Sequence, residues 1–136
     1  MSHPDPSTRA IFQSLVLAAL ADGTIVRSEA EVVEALLKLD ARFAAVTDAF
    51  ELAVATRVLL DSKGIEEALE HIVAPIKTAP DRALTFRMCA RVIIADGKTE
   101  GDEAMVLGSL QELFSLSLAE VKEALDEERA RKAAQP

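Results

Sequence analysis

The chain has 136 residues, half of them apolar, and a formal net charge of −8. This length fits one domain with a sizeable core, and the acidic balance disfavours nucleic acid but suits cations and basic protein surfaces. The single cysteine, Cys89, excludes an internal disulfide framework. The first residues lack the features of a signal peptide, and the longest uncharged stretch, residues 10–21, is too short to span a bilayer. We therefore expect a cytoplasmic protein that does not insert into membranes.

Apolar residues at helical spacing occur along most of the chain, and no strand-like alternation is sustained. We predict an all-α fold of about seven helices. These helices are expected at about residues 7–21, 28–39, 47–61, 65–76, 80–95, 101–114 and 118–132. Residues 1–6 and 133–136 are expected to be disordered, which leaves a single domain over residues 7–132.

The first and fifth predicted helices carry apolar residues on more than one face, which indicates that they are central. The residues expected to be nearly inaccessible are Leu15, Val16, Met88 and Val92. In the second predicted helix we expect a buried stripe of Val32, Val33, Leu36 and Leu37, and in the third an inward row of Phe50, Val54, Val58 and Leu59. The last helix is expected to fray over residues 128–132, with the i,i+4 ion pairs Glu127–Arg131 and Glu128–Lys132.

A short sequence motif occurs twice in the chain, 74 residues apart. Ala21-Asp22-Gly23 is followed by Glu29, and Ala95-Asp96-Gly97 is followed by Glu103. At this offset residues 18–39 and 92–113 share eight identities, whereas chance in an Ala- and Leu-rich chain would give roughly two. In each copy an apolar helix ends at Asp-Gly, the chain turns, and a second amphipathic helix begins. We therefore predict an internally duplicated helix–loop–helix hairpin.

The spacing from Asp to Glu is that of the second half of an EF-hand loop. The first half is absent, because apolar residues occupy the positions of its carboxylates: Ala18, Leu20, Val92 and Ile94. A complete single-loop calcium site is therefore disfavoured. If the two loops face each other, their carboxylates would converge on a divalent cation such as Ca²⁺ or Mg²⁺. The predicted ligands are Asp22, Glu29, Asp96 and Glu103, with Glu100 and Asp102 as auxiliary groups.

The same loops also have a purely architectural interpretation. Gly23 and Gly97 suit the left-handed residue that ends a helix. The aspartates before them can accept backbone N–H groups in Asx-turns, and a glutamate in the first turn of a helix is favoured by the helix dipole. A carboxylate at a helix C-terminus nevertheless opposes the dipole of that helix, and the chain has this arrangement twice. Both interpretations remain open from the sequence.

Two Ala-Asp-Gly turns, each after an apolar helix and before a glutamate, resemble the TerB-like family. That family includes the tellurite-resistance protein TerB and the N-terminal domain of the co-chaperone DjlA. The resemblance covers about residues 12–125 and implies an all-α fold of roughly seven helices. It also implies an acidic face that binds metal ions or partner proteins, here through Asp22, Glu29, Asp96 and Glu103. The chain departs from the family pattern at Val26, where members often have Ser or Asp.

No group of residues in the sequence indicates an enzyme. His3 and His71 are isolated and do not form a zinc motif. Cys89 lies in an apolar stretch and is expected to be a buried, inert thiol, and there is no glycine-rich phosphate loop. We expect a non-enzymatic accessory or scaffold protein, linked through the resemblance to tellurite or other stress resistance, whose acidic face binds a divalent cation or a partner protein. The alternative is a module that binds only a partner protein, with no metal.

Overall fold

The computed structural model describes residues 5–21, 28–95 and 102–134, except the side chains of Asp102 and Glu103. In these ranges the chain forms six α-helices, one 3₁₀ helix and no strand, which confirms the all-α prediction. The α-helices are α1 (Pro6–Leu20), α2 (Glu29–Leu37), α3 (Ala49–Val73), α4 (Ala79–Ala95), α5 (Asp102–Phe114) and α6 (Leu118–Ala134), and the 3₁₀ helix is Ala41–Ala45. None of the helices in the described ranges combines the length and the apolar composition that a membrane crossing requires.

The helix count differs from the predicted seven because the third and fourth predicted helices are joined in α3. Gly64, with φ of +82° and ψ of 173°, is not helical and divides α3 into two limbs, residues 49–63 and 65–73. A side chain is strained in this backbone conformation, which therefore favours glycine. Gly64 lies in the interval, residues 62–64, between the third and fourth predicted helices, but the second limb begins directly after it, without a loop.

Helices α1 and α4 form the centre of the fold. Helix α1 packs against α2, α3, α4 and the 3₁₀ helix, and α4 packs against α1, α5 and α6. Leu15 and Val16 are fully buried and Met88 is nearly so, as predicted. The prediction for Val92 is wrong, because this residue is half-buried and its neighbours Ile93 and Ile94 take the inward positions.

The first limb of α3 packs through Leu52 and three small residues rather than through the large residues predicted to face inward. The buried residues of this limb are Ala49, Leu52, Ala53 and Thr56. The large residues predicted to face inward are exposed, at 49% for Phe50, 41% for Val54 and 62% for Val58, while Leu59 is half-buried. Small side chains let α1 lie close to α3, and the buried Thr56 hydroxyl donates to the Leu52 carbonyl at 2.7 Å.

Helix α2 follows its predicted stripe only in part. Val32 and Leu36 are buried, whereas Val33 is half-buried and Leu37 is 38% exposed. The helix is nine residues long, so two residues one turn apart are enough to hold it on α1 and α3.

Helix α6 remains helical through Ala134, past the segment that was expected to fray. Glu128 is buried, and its carboxylate accepts a hydrogen bond from Arg91 Nε of α4 at 2.8 Å. Arg131 Nε lies 3.2 Å from the same carboxylate. Lys132 Nζ donates to the carbonyl of Ile94, near the end of α4, at 2.8 Å. The C-terminal half of α6 is therefore fixed to α4 by polar contacts.

These contacts replace the ion pairs predicted within α6. Glu127 pairs with Arg87 of α4 at 3.1 Å rather than with Arg131, and Lys132 contacts a backbone carbonyl rather than Glu128. The prediction failed because spacing along one helix cannot show charges on a neighbouring helix.

Candidate functional site

The two acidic loops separate consecutive helices, α1 from α2 and α4 from α5. Five residues discussed for these loops lie outside the described residues: Asp22, Gly23, Asp96, Gly97 and Glu100. Asp102 and Glu103 begin α5, but their side chains are also outside the description. Glu29 is thus the one predicted ligand whose side chain is described. The convergence of Asp22, Glu29, Asp96 and Glu103 on a cation stays a prediction.

Glu29 begins α2 directly after a serine cap. The Ser28 hydroxyl oxygen accepts a hydrogen bond from the N–H of Glu31 at 3.2 Å, and the hydroxyl donates to the Glu31 carboxylate at 3.1 Å. Ser28 therefore caps α2, although the Glu31 carboxylate contacts the Ser28 hydroxyl and not, as in a full capping box, the Ser28 backbone N–H. This cap fixes the first turn of α2 and hence the position of Glu29.

The Glu29 carboxylate has a partner within the chain. Its Oε1 accepts a hydrogen bond from Nε of Arg57, in the first limb of α3. The pKa of Glu29 is lowered from its ordinary value, first by its own backbone N–H and then by the bond from Arg57, while burial acts in the opposite direction. Glu29 therefore links α2 to α3 as a carboxylate, and a cation that recruited it would compete with Arg57.

The part of the chain that is described contains no group of three or more His, Cys, Asp or Glu side chains placed to hold a metal ion. A hard cation requires several carboxylate or carbonyl oxygens. Apart from Glu29, the metal prediction thus depends on the two loops and on the start of α5.

Cys89 is fully buried in α4, and burial raises its pKa to about 12. Burial therefore favours the protonated thiol over the nucleophilic thiolate. Burial of Cys89 was expected from the apolar stretch around it.

Helix α3 carries a row of exposed apolar side chains, which the sequence interpretation placed in the core. Phe50, Val54 and Val58 recur every four residues, so they lie on one side of the first limb over about 12 Å. We call these three residues the α3 stripe. The sequence does contain an indication that this row faces outward. Small residues, Ala49, Ala53 and Thr56, form a second row on the same limb, and close helix packing favours small side chains.

The surroundings of the α3 stripe are acidic. Glu51 and Asp61 are exposed on the same limb, Glu51 one turn before Val54 and Asp61 one turn after Val58. Residues 29–63, which comprise α2, the 3₁₀ helix and this limb, contain seven carboxylates and four basic side chains. A partner with basic groups around an apolar face complements this surface.

Comparisons of the chain with protein-family models, with curated proteins and with solved structures gave no match. The resemblance to the TerB-like family therefore depends only on the repeated Ala-Asp-Gly motif and on the helical spacing of the apolar residues.

Proposed function

We propose that the chain is a non-enzymatic, TerB-like interaction module that binds a basic amphipathic helix of a partner protein on the α3 stripe. The observation that supports the proposal is the exposure of Phe50, Val54 and Val58 in one continuous row. Exposed contiguous apolar patches on soluble proteins mark interaction sites. Aromatic residues such as Phe50, whose side chain is 49% exposed, are also enriched at protein–protein interfaces.

The spacing and the charge of the surface indicate the chemistry of the partner. A row with four-residue spacing is complementary to the apolar face of another helix, whose side chains fit between its ridges. The nearby carboxylates Glu51 and Asp61 favour Lys or Arg beside that face. The partner segment that fits best is therefore a helix with one apolar and one basic side.

Of the two functions expected from the sequence, the partner-only alternative has the better support. Glu29 is already paired with Arg57, which makes it a structural residue rather than a free ligand. The duplicated hairpin, the stress-linked accessory role and the cytoplasmic location belong to this proposal as implications of the resemblance and the composition.

The proposal is tested with the full chain and a defined peptide probe. A fluorescent 14-residue helix of leucine and lysine is titrated with the wild-type protein, with Phe50→Ser and with Val54→Ser, and anisotropy reports binding. We expect saturable binding to the wild type and about tenfold weaker binding to each variant. The folded state should remain intact, because substitutions at exposed positions change stability by only about 0.5 kcal/mol.

Two controls make the outcome specific. Leu118→Ser removes a large apolar side chain that is 79% exposed on α6, and this variant should bind the peptide as the wild type does. A matched peptide with glutamate in place of lysine should not bind. Equal affinity of the wild type, Phe50→Ser and Val54→Ser for the basic peptide would refute the proposal.

A further inference from the structure

A cleft opens between α1 and the two limbs of α3. Gly64 makes the limbs diverge, so Leu59 before it and Ile72 after it both line the cleft, with Ala10 of α1 beside them. The cleft has a volume of about 560 Å³, which is within the usual range for small-molecule sites. Its walls are mainly apolar.

Three polar side chains face the same cleft. Arg9 and Gln13 lie one turn apart on α1, and His71 lies on the second limb of α3. Arg9 donates through Nη1 to Asp48 at 2.6 Å. In the part of the chain that the structure describes, its other guanidinium nitrogens and the side chains of Gln13 and His71 have no hydrogen-bond partner. Polar groups with unused hydrogen-bonding capacity thus line a cleft whose other walls are apolar.

This combination of groups indicates the chemistry of a ligand. A guanidinium presents its N–H groups in a fork that matches a carboxylate, and an amide and an imidazole add further donors. None of the described residues that line the cleft is an Asp or a Glu, although the chain as a whole has a net charge of −8. We infer that this cleft binds a small carboxylate with an apolar tail, with the head on Arg9, Gln13 and His71 and the tail on Leu59 and Ile72.

The inference is independent of the proposed partner site. Ala55 and Leu59 line the cleft, whereas none of the three residues of the α3 stripe lines it. The two sites can therefore be tested separately, and failure of one has no bearing on the other.

The probe is sodium octanoate, titrated at submicellar concentration into the ¹⁵N-labelled full chain. Octan-1-ol, which keeps the tail, and sodium acetate, which keeps the head, are titrated in parallel. We expect saturable shifts of the amide signals of Arg9, Gln13 and His71, with octanoate binding at least tenfold more tightly than either control. Equal affinity for octan-1-ol would show that no carboxylate is recognised and would overturn the inference.

Variants locate the site. Ala55 is exposed at the wall of the cleft, so Ala55→Leu should fill it and weaken octanoate binding at least tenfold. Ala130→Leu, at an exposed position of α6 outside the cleft, is the matched control and should have no effect.

The head group is tested by combining Gln13→Leu with His71→Leu. This double variant should weaken octanoate binding about tenfold and leave octan-1-ol binding unchanged. Unaltered octanoate binding in both Ala55→Leu and the double variant, or shifts confined to the α3 stripe, would show that the cleft is not the site.

Discussion

Gly64 is the residue at which a single backbone conformation determines the shape of a helix. Its φ of +82° is one that side chains rarely adopt, although the space around a Cβ at this position is empty. We expect Gly64→Ala to lower the free energy of unfolding by about 1–3 kcal/mol. The cause is backbone strain rather than a steric clash, and urea unfolding measures it.

Gly108 is the matched control for this substitution. It lies inside α5, is exposed, and also has empty space where a Cβ would lie. Gly108→Ala should raise the free energy of unfolding by about 0.5–1 kcal/mol, because alanine loses less backbone entropy in a helix. If both variants shift stability in the same direction, the conformation of Gly64 does not explain the interruption of α3.

The structural role of a single residue was predictable from the sequence where it depends only on neighbouring residues in the chain. Gly64 breaks a helical pattern, and Ser117 and Glu120 have the three-residue spacing of a capping box and form one. The Glu120 N–H donates to Ser117 Oγ at 3.1 Å, and the Ser117 N–H donates to Glu120 Oε1 at 3.2 Å. The partner of Glu29 was not predictable in this way. Arg57 lies 28 residues away on another helix, and no spacing rule connects them.

At the scale of elements, the docking of α6 depends on a buried carboxylate. Glu128 accepts from Arg91 and lies beside Arg131, while its own side chain is almost inaccessible. We expect Glu128→Gln to lower the free energy of unfolding by on the order of 3 kcal/mol, because it leaves two guanidinium groups without their shared counter-charge. Chemical denaturation provides the measurement.

Its neighbour Glu127 is the control. The Glu127–Arg87 pair is about half exposed on both sides, so Glu127→Gln should cost below about 1 kcal/mol. A similar cost for the two variants would mean that burial of Glu128 adds nothing and that α6 is held by its apolar contacts.

Helix boundaries were predicted well, and helix orientation less so. Periodicity and end signals located most ends within about two residues, because both are local properties. The buried side of α3 was assigned by side-chain size, and the close approach of α1 reversed that assignment in favour of Ala53 and Thr56. Which face packs inward depends on the neighbouring helix, and the sequence of one helix does not contain that information.

At the scale of the whole molecule, stability depends on pH through carboxylates whose pKa is lowered in the folded state, and the described residues include three of them. The pKa of Asp5 is lowered first by the Thr8 N–H, that of Glu29 first by its own N–H, and that of Asp48 first by the hydrogen bond from Arg9. A lowered folded-state pKa means that the ionised carboxylate favours folding. This contribution is present at neutral pH and is lost as the pH falls through about 4 and below.

We therefore expect a fall in melting temperature on acidification that is shallower in Asp48→Asn than in the wild type. Relief of repulsion in a chain of net charge −8 acts in the opposite direction, so the difference between variants is the quantity to compare. Arg9→Gln should flatten the profile as Asp48→Asn does, and the double variant should flatten it no further. An unchanged profile in Asp48→Asn would contradict the assigned role of the Arg9–Asp48 pair.

The acidic loops lead to a test on the whole protein, because their two interpretations have opposite consequences. Converging carboxylates would repel one another without a cation, and millimolar Ca²⁺ or Mg²⁺ would then raise the melting temperature, as does any ligand that binds only the native state. Replacing both aspartates, in Asp22→Asn with Asp96→Asn, would stabilise the metal-free protein and abolish the response. In the architectural interpretation the same double variant is simply less stable, and metal changes neither protein.

We expect the architectural outcome, because the described member of the set, Glu29, already has Arg57 as its counter-ion. Thermal melts of the wild type and the double variant, with and without metal, decide between the two interpretations. The metal concentration is about 5–10 mM, which suits a weak site. Glu29→Gln should lower stability equally with and without metal, since it removes the link between α2 and α3. A metal-dependent rise in the wild type that disappears in the double variant would instead establish a cation site, and the loops would then bind a ligand of their own beside the partner surface on α3.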